Sequence, residues 1–409
     1  MNDVGRQLER VARLSHGRLV GLLAARLGSI AAAEDALGDA LVRALEVWPK
    51  TGLPENPEGW LATTARRRAI DRVRSDRLRS TYQRELEMVA RTTEGSEPVT
   101  FDPRLNLMFA CAHPAIDPSL RAPLMLQTVL GLDARRMASI YLVSPGTLGQ
   151  RLTRAKAKIE ANRIPFEKPD NEDEFATRLD DILNAIYAAY AVGYNGVGTG
   201  DAKASGLATE ALWLVSTVCS AVKKSPEAHG LFSLLLFTEA RRDARVDDSG
   251  ELVPLQEQAT DRWDAAMLRD AAEALTQAQR NLTLGRFQLE AAIQAVHCAR
   301  RETGHTDWNE LRVLYRGLAN VCPTVGVLSG LAAVEAEAIG PAAGLAILDQ
   351  VDPKLRASYQ PWYATRAHLL ATLERHHEAA KAYDQAIGLS DDPAARKFLL
   401  ARRQNLREG

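Results

Sequence analysis

Cysteine is scarce in this 409-residue chain: Cys111, Cys219, Cys298 and Cys322 stand far apart, with no CxxC pair. That spacing excludes a disulfide framework and a thiolate zinc site, and a reduced compartment is the expectation. The eight histidines add no ligand spacing, and Cys111 with His113 in FACAHPAI makes half a zinc site, for which packing is the plainer role. No metal and no cofactor are expected. No run approaches the roughly 18 apolar residues of a membrane span. MNDVGRQLER has no basic-then-apolar leader, so a cytoplasmic protein with no membrane partner is expected. Gly-rich phosphate loops following a strand, a nucleophile elbow and HExxH are all missing, and GVGTG at 196–200 follows a helical stretch. Without a catalytic constellation, an enzyme is not expected. An excess of one charge sign is lacking too: 51 Lys and Arg against 52 Asp and Glu leave a net charge of -1, which excludes a uniformly basic nucleic-acid coat.

What is present is helix periodicity. With 46% hydrophobic and 25% charged residues the chain can build two or three globular cores. Locally the charge is uneven: Arg66, Arg67, Arg68, Arg72, Arg74, Arg77 and Arg79 have only Asp71 and Asp76 as neighbouring acids. In WLATTARRRAIDRVRSDRL (60–78), Leu61, Ala65, Ala69 and Val73 follow a core stripe, which leaves Thr64, Arg67, Arg68, Asp71, Arg72 and Arg74 outward. In SPGTLGQRLTRAKAKI (144–159), Leu148, Leu152, Ala155 and Ile159 line one side, while Thr147, Gln150, Arg151, Arg154 and Lys158 point elsewhere. Ser144 suits the N-cap and Pro145 the first helical position. A short helix at 133–140 and a tight segment at 141–143 precede it, the outline of a helix-turn-helix whose second helix enters a major groove. The alternative is an amphipathic helix pair with a solvated charged face. Two basic, hydrogen-bonding helices together indicate a chain that grips DNA at two places.

Upstream, residues 11–27 and 31–48 are periodic, with Ser29 and Ile30 at the break and the turn-rich PKTGLPENPE after them. Residues 85–103 lose periodicity and gain Thr, Gly, Ser, Glu and Pro, which fits a flexible linker. The expected domains are therefore 1–84, a linker at 85–103, 104–163, and a separate helical region at 175–409. In that last region Tyr363, Ala367, Ala379, Tyr383 and Ala386 resemble the spacing of a tetratricopeptide unit, with a weaker copy at Gly344, Leu348 and Val351. A generic helical bundle explains the same alanines. Tyr187, Tyr190 and Tyr194 form an aromatic stripe suited to core packing, and residues 240–264 read as an ordered surface loop with no assigned chemistry.

The segments AEDALGDALVRALEVWP (33–49) and NPEGWLATTARRRAIDRVR (56–74) resemble region two of bacterial sigma factors of the extracytoplasmic-function type. DPRLNLMFACAHPAI (102–116) and RAPLMLQTVLGLDARRMASIYLVSPGTLGQRLTRAKAKI (121–159) resemble region four. Through IYAAYAVGYN, ARRDARVDDSGELVPLQEQ, FQLEAAIQAVH, TDWNELRVLY and GPAAGLAILD, the chain is similar to the subgroup with a long tetratricopeptide-like C-terminal extension. The resemblance implies an all-α fold and a sigma factor that brings RNA polymerase core enzyme to promoter DNA, with the extension modulating it through contact with the sigma regions. The alternative is an adaptor whose repeat domain binds a protein partner while the front half keeps a sigma-like shape. Core binding falls to Glu34, Asp35 and Asp39, beside Leu37 and Val42. The minus-ten element falls to Trp60, Thr64, Arg67, Arg68, Arg72 and Arg74, and the minus-thirty-five element to Thr147, Gln150, Arg151 and Arg154. The chain departs from the family pattern at Gly38 in the docking helix, at Arg135 and Arg136, and at Gly149 in the reading helix.

Overall fold

The computed structural model describes residues 3–77, 101–138, 143–195, 202–248, 251–280, 284–390 and 392–406. The fold is all-α, as the periodicity predicts. Among the described residues there is no strand, only an isolated antiparallel bridge between Val246 and Leu252. No described helix is long and apolar enough to cross a membrane. The chain forms two compact units, Met1–Ala189 and Tyr190–Gly409.

The first unit holds α1 (Asp3–Leu27), α2 (Ile30–Thr51), α3 (Pro57–Arg77), α4 (Pro103–Cys111), α5 (Pro118–Leu130), α6 (Ala134–Ala138), α7 (Pro145–Ala161) and the first part of α8 (Glu172–Asn195). Short side-chain caps set the boundaries. Gly28 at φ 67 stops α1, and Ser29 caps α2 by accepting from the Ala32 amide at 3.3 Å. Asp102 before Pro103 and Asp117 before Pro118 do the same for α4 and α5, with amides at 2.8 and 2.9 Å. One boundary differs from the sequence reading: α2 runs through Pro49 to Thr51 and ends at Gly52, φ 83. A proline in the final turn gives up only its own donor there.

α1 packs against α2 and α3 on one side and α4 and α5 on the other. Its close approach needs glycine: a Cβ at Gly17 would lie 2.3 Å from the Val129 carbonyl oxygen, and one at Gly21 2.4 Å from that of Pro103. Leu19, Val20, Leu23, Ile30, Ala33 and Leu37 are buried around this helix. Cys111 is fully buried with Sγ 3.7 Å from Thr128 Oγ1, and burial pushes its thiol up to about 12. His113 accepts the Ala115 amide through Nδ1 at 3.1 Å, so both members of the FACAHPAI pair serve local structure. Phe109 and Phe175 rings at 5.3 Å and an Arg121–Asp181 ion pair at 2.7 Å fasten the start of α8 to the same unit.

The second unit continues with α9 (Ala202–Ala221), α10 (Pro226–Glu239), α11 (Ala265–Ala278), α12 (Arg286–Thr303), α13 (Trp308–Val321) and α14 (Val325–Ala338), then α15 (Pro341–Asp349), α16 (Pro353–Arg356), α17 (Gln360–Thr372), α18 (His376–Gly388) and α19 (Pro393–Asn405). Contacts run between helices adjacent in sequence, α10 with α11, α13 with α14, α14 with α15, α17 with α18 and α18 with α19, and α10 packs as broadly on α12, one helix further on. In the α17–α18 pair Ala367, Ala379 and Ala386 are fully buried and Tyr383 nearly so, and Leu348 and Val351 of the preceding segment join the same core. Tyr190 and Tyr194 stack at 5.5 Å, with the Tyr190 hydroxyl donating to Glu239 at 2.8 Å.

The segment 240–264 is pinned, not loose. Arg245 donates to the Tyr194 carbonyl at 2.9 Å and lies 4.2 Å over its ring. Arg300 donates to the carbonyls of Leu255 at 3.0 Å, Gln258 at 2.8 Å and Gln256, while Arg301 holds the carbonyl of the buried Trp263 at 3.0 Å. Residues 85–100 of the expected linker, 139–142 of the expected turn and short helix, GVGTG at 196–200, and 249–250 of the 240–264 segment lie outside the described residues.

Candidate functional site

The candidate surface is built from α2, α3 and α7, all in the first unit. On α2, Asp35, Asp39, Val42 and Leu45 share one side at helical spacing, and all four are exposed, Val42 at 58% and Leu45 at 56%. Two uncovered aliphatic side chains beyond two acids form a mixed stripe that suits a basic, partly apolar partner helix. Gly38 lies in this stripe with nothing within 4 Å of an added Cβ, which leaves a notch between the acids. Leu37, which the sequence reading puts beside them, is buried in the core. A groove of about 290 Å³ runs beside the stripe, lined by Ser29, Asp35, Asp39, Arg68 and, from α7, Glu160.

Glu34 faces a different way. Its carboxylate accepts two hydrogen bonds from Lys156 Nζ of α7, both 2.7 Å, with the lysine side chain 11% and the glutamate 27% exposed. One helical step of 100° separates Glu34 from Asp35, enough to turn the first toward Lys156 of α7 and the second toward the groove. The structure thus groups Asp35 and Asp39 and separates Glu34 from them. His16 lies near this pair, and burial holds its imidazole below the ordinary range, with Glu34 opposing and Lys156 reinforcing that shift.

On α3 the stripe of Leu61, Ala65 and Ala69 is buried as the spacing predicts. Trp60 is half-buried, its ring set edge-on at 5.4 Å to the buried Trp48. Thr64 is half-buried, while Arg67 and Arg68 are exposed. Arg68 stands in the groove with Asp35 and Asp39, so the two neighbouring arginines serve different surfaces. Arg72 and Arg74 belong to α3 by backbone, and their side chains, like that of Val73, lie outside the described ones.

α7 carries the second surface. Ser144 accepts the Thr147 amide at 3.2 Å and pairs with its hydroxyl at 2.8 Å, and Pro145 opens the helix. Leu148, Leu152, Ala155 and Ile159 are buried against α5 and α6. Thr147, Gln150, Arg151 and Arg154 are exposed together on the opposite face. Gly149, half-buried on the same helix, has nothing within 4 Å of an added Cβ. Donors projecting from a rigid, capped helix can reach base edges and phosphates. Among the described residues no group of three His, Cys, Asp or Glu side chains forms a metal site.

Residues missed from sequence are Ser29, Lys156 and Glu160. Lys156 and Glu160, spaced i and i+4, share a side of α7, a signal of common facing but not of what they face.

Residues 12–79, most of α1 to α3, match sigma-70 region 2. Residues 178–279 match a family of unknown function (DUF6596). An uncharacterized protein of Rhizobium meliloti (strain 1021) is 33% identical over 377 residues, covering 90% of this chain and 88% of its own. No solved structure matches. Sigma-70 region 2 at the front supports a sigma-factor-like role in transcription initiation.

Proposed function

We propose, because this chain belongs to one family with the Rhizobium meliloti protein and carries sigma-70 region 2, that it is an alternative sigma factor of the extracytoplasmic-function type with a fused regulatory extension. It works in the cytoplasm by binding, not catalysis. The α2 stripe of Asp35, Asp39, Val42 and Leu45 docks on RNA polymerase core enzyme. α3 presents Arg67, with Arg72, Arg74 and Thr64 on the same helix, to the minus-ten element, where cations hold the phosphates of the separated strand. Trp60, leaning on Trp48, supports that helix, with only its free edge open to a base. α6 and α7 act as the helix-turn-helix of a region-four module, and Thr147, Gln150, Arg151 and Arg154 read and position the minus-thirty-five element. The helices of 175–409, tetratricopeptide-like in their pairing, modulate this activity.

The observation that carries the reading is the match at 12–79, laid over α1 to α3, of which α2 holds the exposed acidic and apolar stripe. Val42→Asp tests it without touching the core, since Val42 is 58% exposed. Removing one apolar anchor from a docking face costs on the order of tenfold in affinity for purified core enzyme. Equal affinity of the variant refutes the placement, and no affinity of either protein refutes the function.

A further inference from the structure

We infer that Arg241, Arg300, His297, Trp263 and Gln258 form a site for a phosphate ion where the 254–264 segment meets α12 and the end of α10. None of them belongs to the surfaces assigned to core enzyme or promoter, and the site stands without the sigma-factor reading.

Arg241, just past α10, is buried, and its donors go to neutral oxygens, Nε to the Phe237 carbonyl at 3.2 Å and Nη2 to the Gln294 amide. Arg300 on α12 gives its donors to the carbonyls of Leu255, Gln256 and Gln258. Among the described residues neither guanidinium pairs with a carboxylate, and Glu239, Glu257 and Glu290 are engaged with Arg242, Arg402 and Arg286. Burial first, and then the Arg241 charge, pulls Arg300 below its ordinary range, while His297 is lowered by burial and then by both arginines. Folded proteins pair their buried charges, since one left alone has given up its hydration for nothing of equal strength. Two cations that press on each other and on an imidazole therefore call for an anion.

Unpartnered polar atoms gather at the same place. Trp263, Gln258 and His297 are 2%, 8% and 9% exposed, and Trp263 Nε1, Gln258 Oε1 and His297 Nδ1 have no hydrogen-bond partner. So deep a burial of unpaired groups is costly unless a ligand completes them. Arg300 links the three: its guanidinium carbon lies 5.2 Å from the centre of the Trp263 ring, it donates to the Gln258 carbonyl at 2.8 Å, and it follows His297 by three positions on α12, on a shared side of the helix. The set offers two guanidinium forks, an indole N–H, an imidazole whose Nδ1 donates in one tautomer, and a single acceptor, the Gln258 amide oxygen. That composition suits a tetrahedral oxyanion, whose oxygens point several ways and take charge-assisted bonds from arginine. It suits phosphate in particular, because a phosphate ion near neutral pH keeps an O–H for the acceptor, whereas sulfate has none and a carboxylate offers only two coplanar oxygens. Arg241, Gln258 and Trp263 fall within residues 178–279, the stretch that matches the family of unknown function. A ligand held by Arg241 and by residues of the segment and α12 favours the state in which these three parts stay together.

The test dialyses the full chain to equilibrium against labelled inorganic phosphate at about pH 8, with ionic strength held constant by sodium chloride. One phosphate should bind per chain. At ten times its dissociation constant it should slow amide exchange across 254–264 and the end of α10 about tenfold and leave α17 and α18 unchanged. Sulfate and methyl phosphate, which at that pH lack the O–H, should bind about tenfold more weakly, and either binding as tightly refutes the phosphate ion as the ligand. Trp263→Phe keeps a ring beside Arg300 and removes the N–H, so it should weaken phosphate binding about tenfold while exchange in the unbound chain holds. Arg241→Met should weaken binding more than tenfold and leave the melting temperature of the unbound chain unchanged or higher, because it removes a buried charge. A purely structural Arg241 predicts a lower melting temperature instead. No bound phosphate, binding that both variants leave intact, or protection that chloride alone reproduces overturns the site. Core enzyme is absent from these assays, so their failure leaves the sigma-factor reading standing, and failure of the chain to bind core leaves the site standing.

Discussion

Alanine at Gly21 sets two effects of known sign against each other in one helix. In a helix interior Gly→Ala favours folding by about 1 kcal/mol, because glycine has the greater backbone freedom to lose. At Gly21 the added Cβ would sit 2.4 Å from the Pro103 carbonyl oxygen and 2.8 Å from its carbon, and at Gly17 2.3 Å from that of Val129. Ordinary contact begins about 1 Å further out, and the obstacle in each case is backbone, which cannot swing aside as a side-chain end would. Such overpacking costs about 3 kcal/mol, so each substitution should destabilise the first unit by roughly 2 kcal/mol net. Gly38, also in a helix interior, has nothing within 4 Å of its added Cβ, so Gly38→Ala should stabilise α2 by about 1 kcal/mol. Amide hydrogen exchange along α1, α2 and α4 reads these changes in the first unit of the intact chain. Three identical substitutions should thus give two losses and one gain. A gain at Gly21 or Gly17 would refute the close approach of α1 to α4 and α5.

His297 is nearly buried, with Arg241 and Arg300 near it and the Trp308 ring 6.3 Å away, and burial lowers its pKa to about 4. An unfolded chain takes up this proton below about 6.5 and the folded one only near 4, so the second unit should lose on the order of 3 kcal/mol as pH falls through that window. His297→Leu should flatten the pH dependence of its melting, and an unchanged slope contradicts the assignment. Arg300→Met removes the donor to three loop carbonyls and should weaken the 254–264 segment by about 2 kcal/mol, seen as faster exchange there with α17 and α18 unaffected. Arg67→Glu should lower the salt-dependence slope of promoter binding by about 1 while core affinity holds, and Arg68→Glu, which makes the groove beside Asp35 and Asp39 more acidic, should instead strengthen binding to a basic core surface. Identical behaviour of the two arginine variants would contradict their different facing.

Local chemistry was the legible part of this chain. Ser144 with Pro145 marks the start of α7, and the buried series Leu148, Leu152, Ala155 and Ile159 is set by a period of 3.6 that needs no knowledge of the partner. The same holds for Leu61, Ala65 and Ala69, and for the alanines of the α17–α18 pair. What a polar face meets is decided elsewhere in the chain. Glu34 and Asp35 look equivalent in sequence, and only α7, whose Lys156 is 122 positions away from Glu34, makes the first a tethered group and leaves the second exposed. Arg67 and Arg68 divide in the same manner. The loop at 240–264 owes its order to Arg300 and Arg301 on α12, distant in sequence and ordinary in composition. Gly17 and Gly21 show the converse: absence of a side chain carries meaning only once a carbonyl is seen pressed against it.

The most direct measurement mixes the purified chain with core RNA polymerase and a library of promoter fragments, and maps unpaired thymines by permanganate. The sigma-factor account requires opening at a defined subset of fragments, dependent on this chain and abolished by high salt. Failure of the chain to associate with core, or opening no more selective than core alone produces, contradicts it.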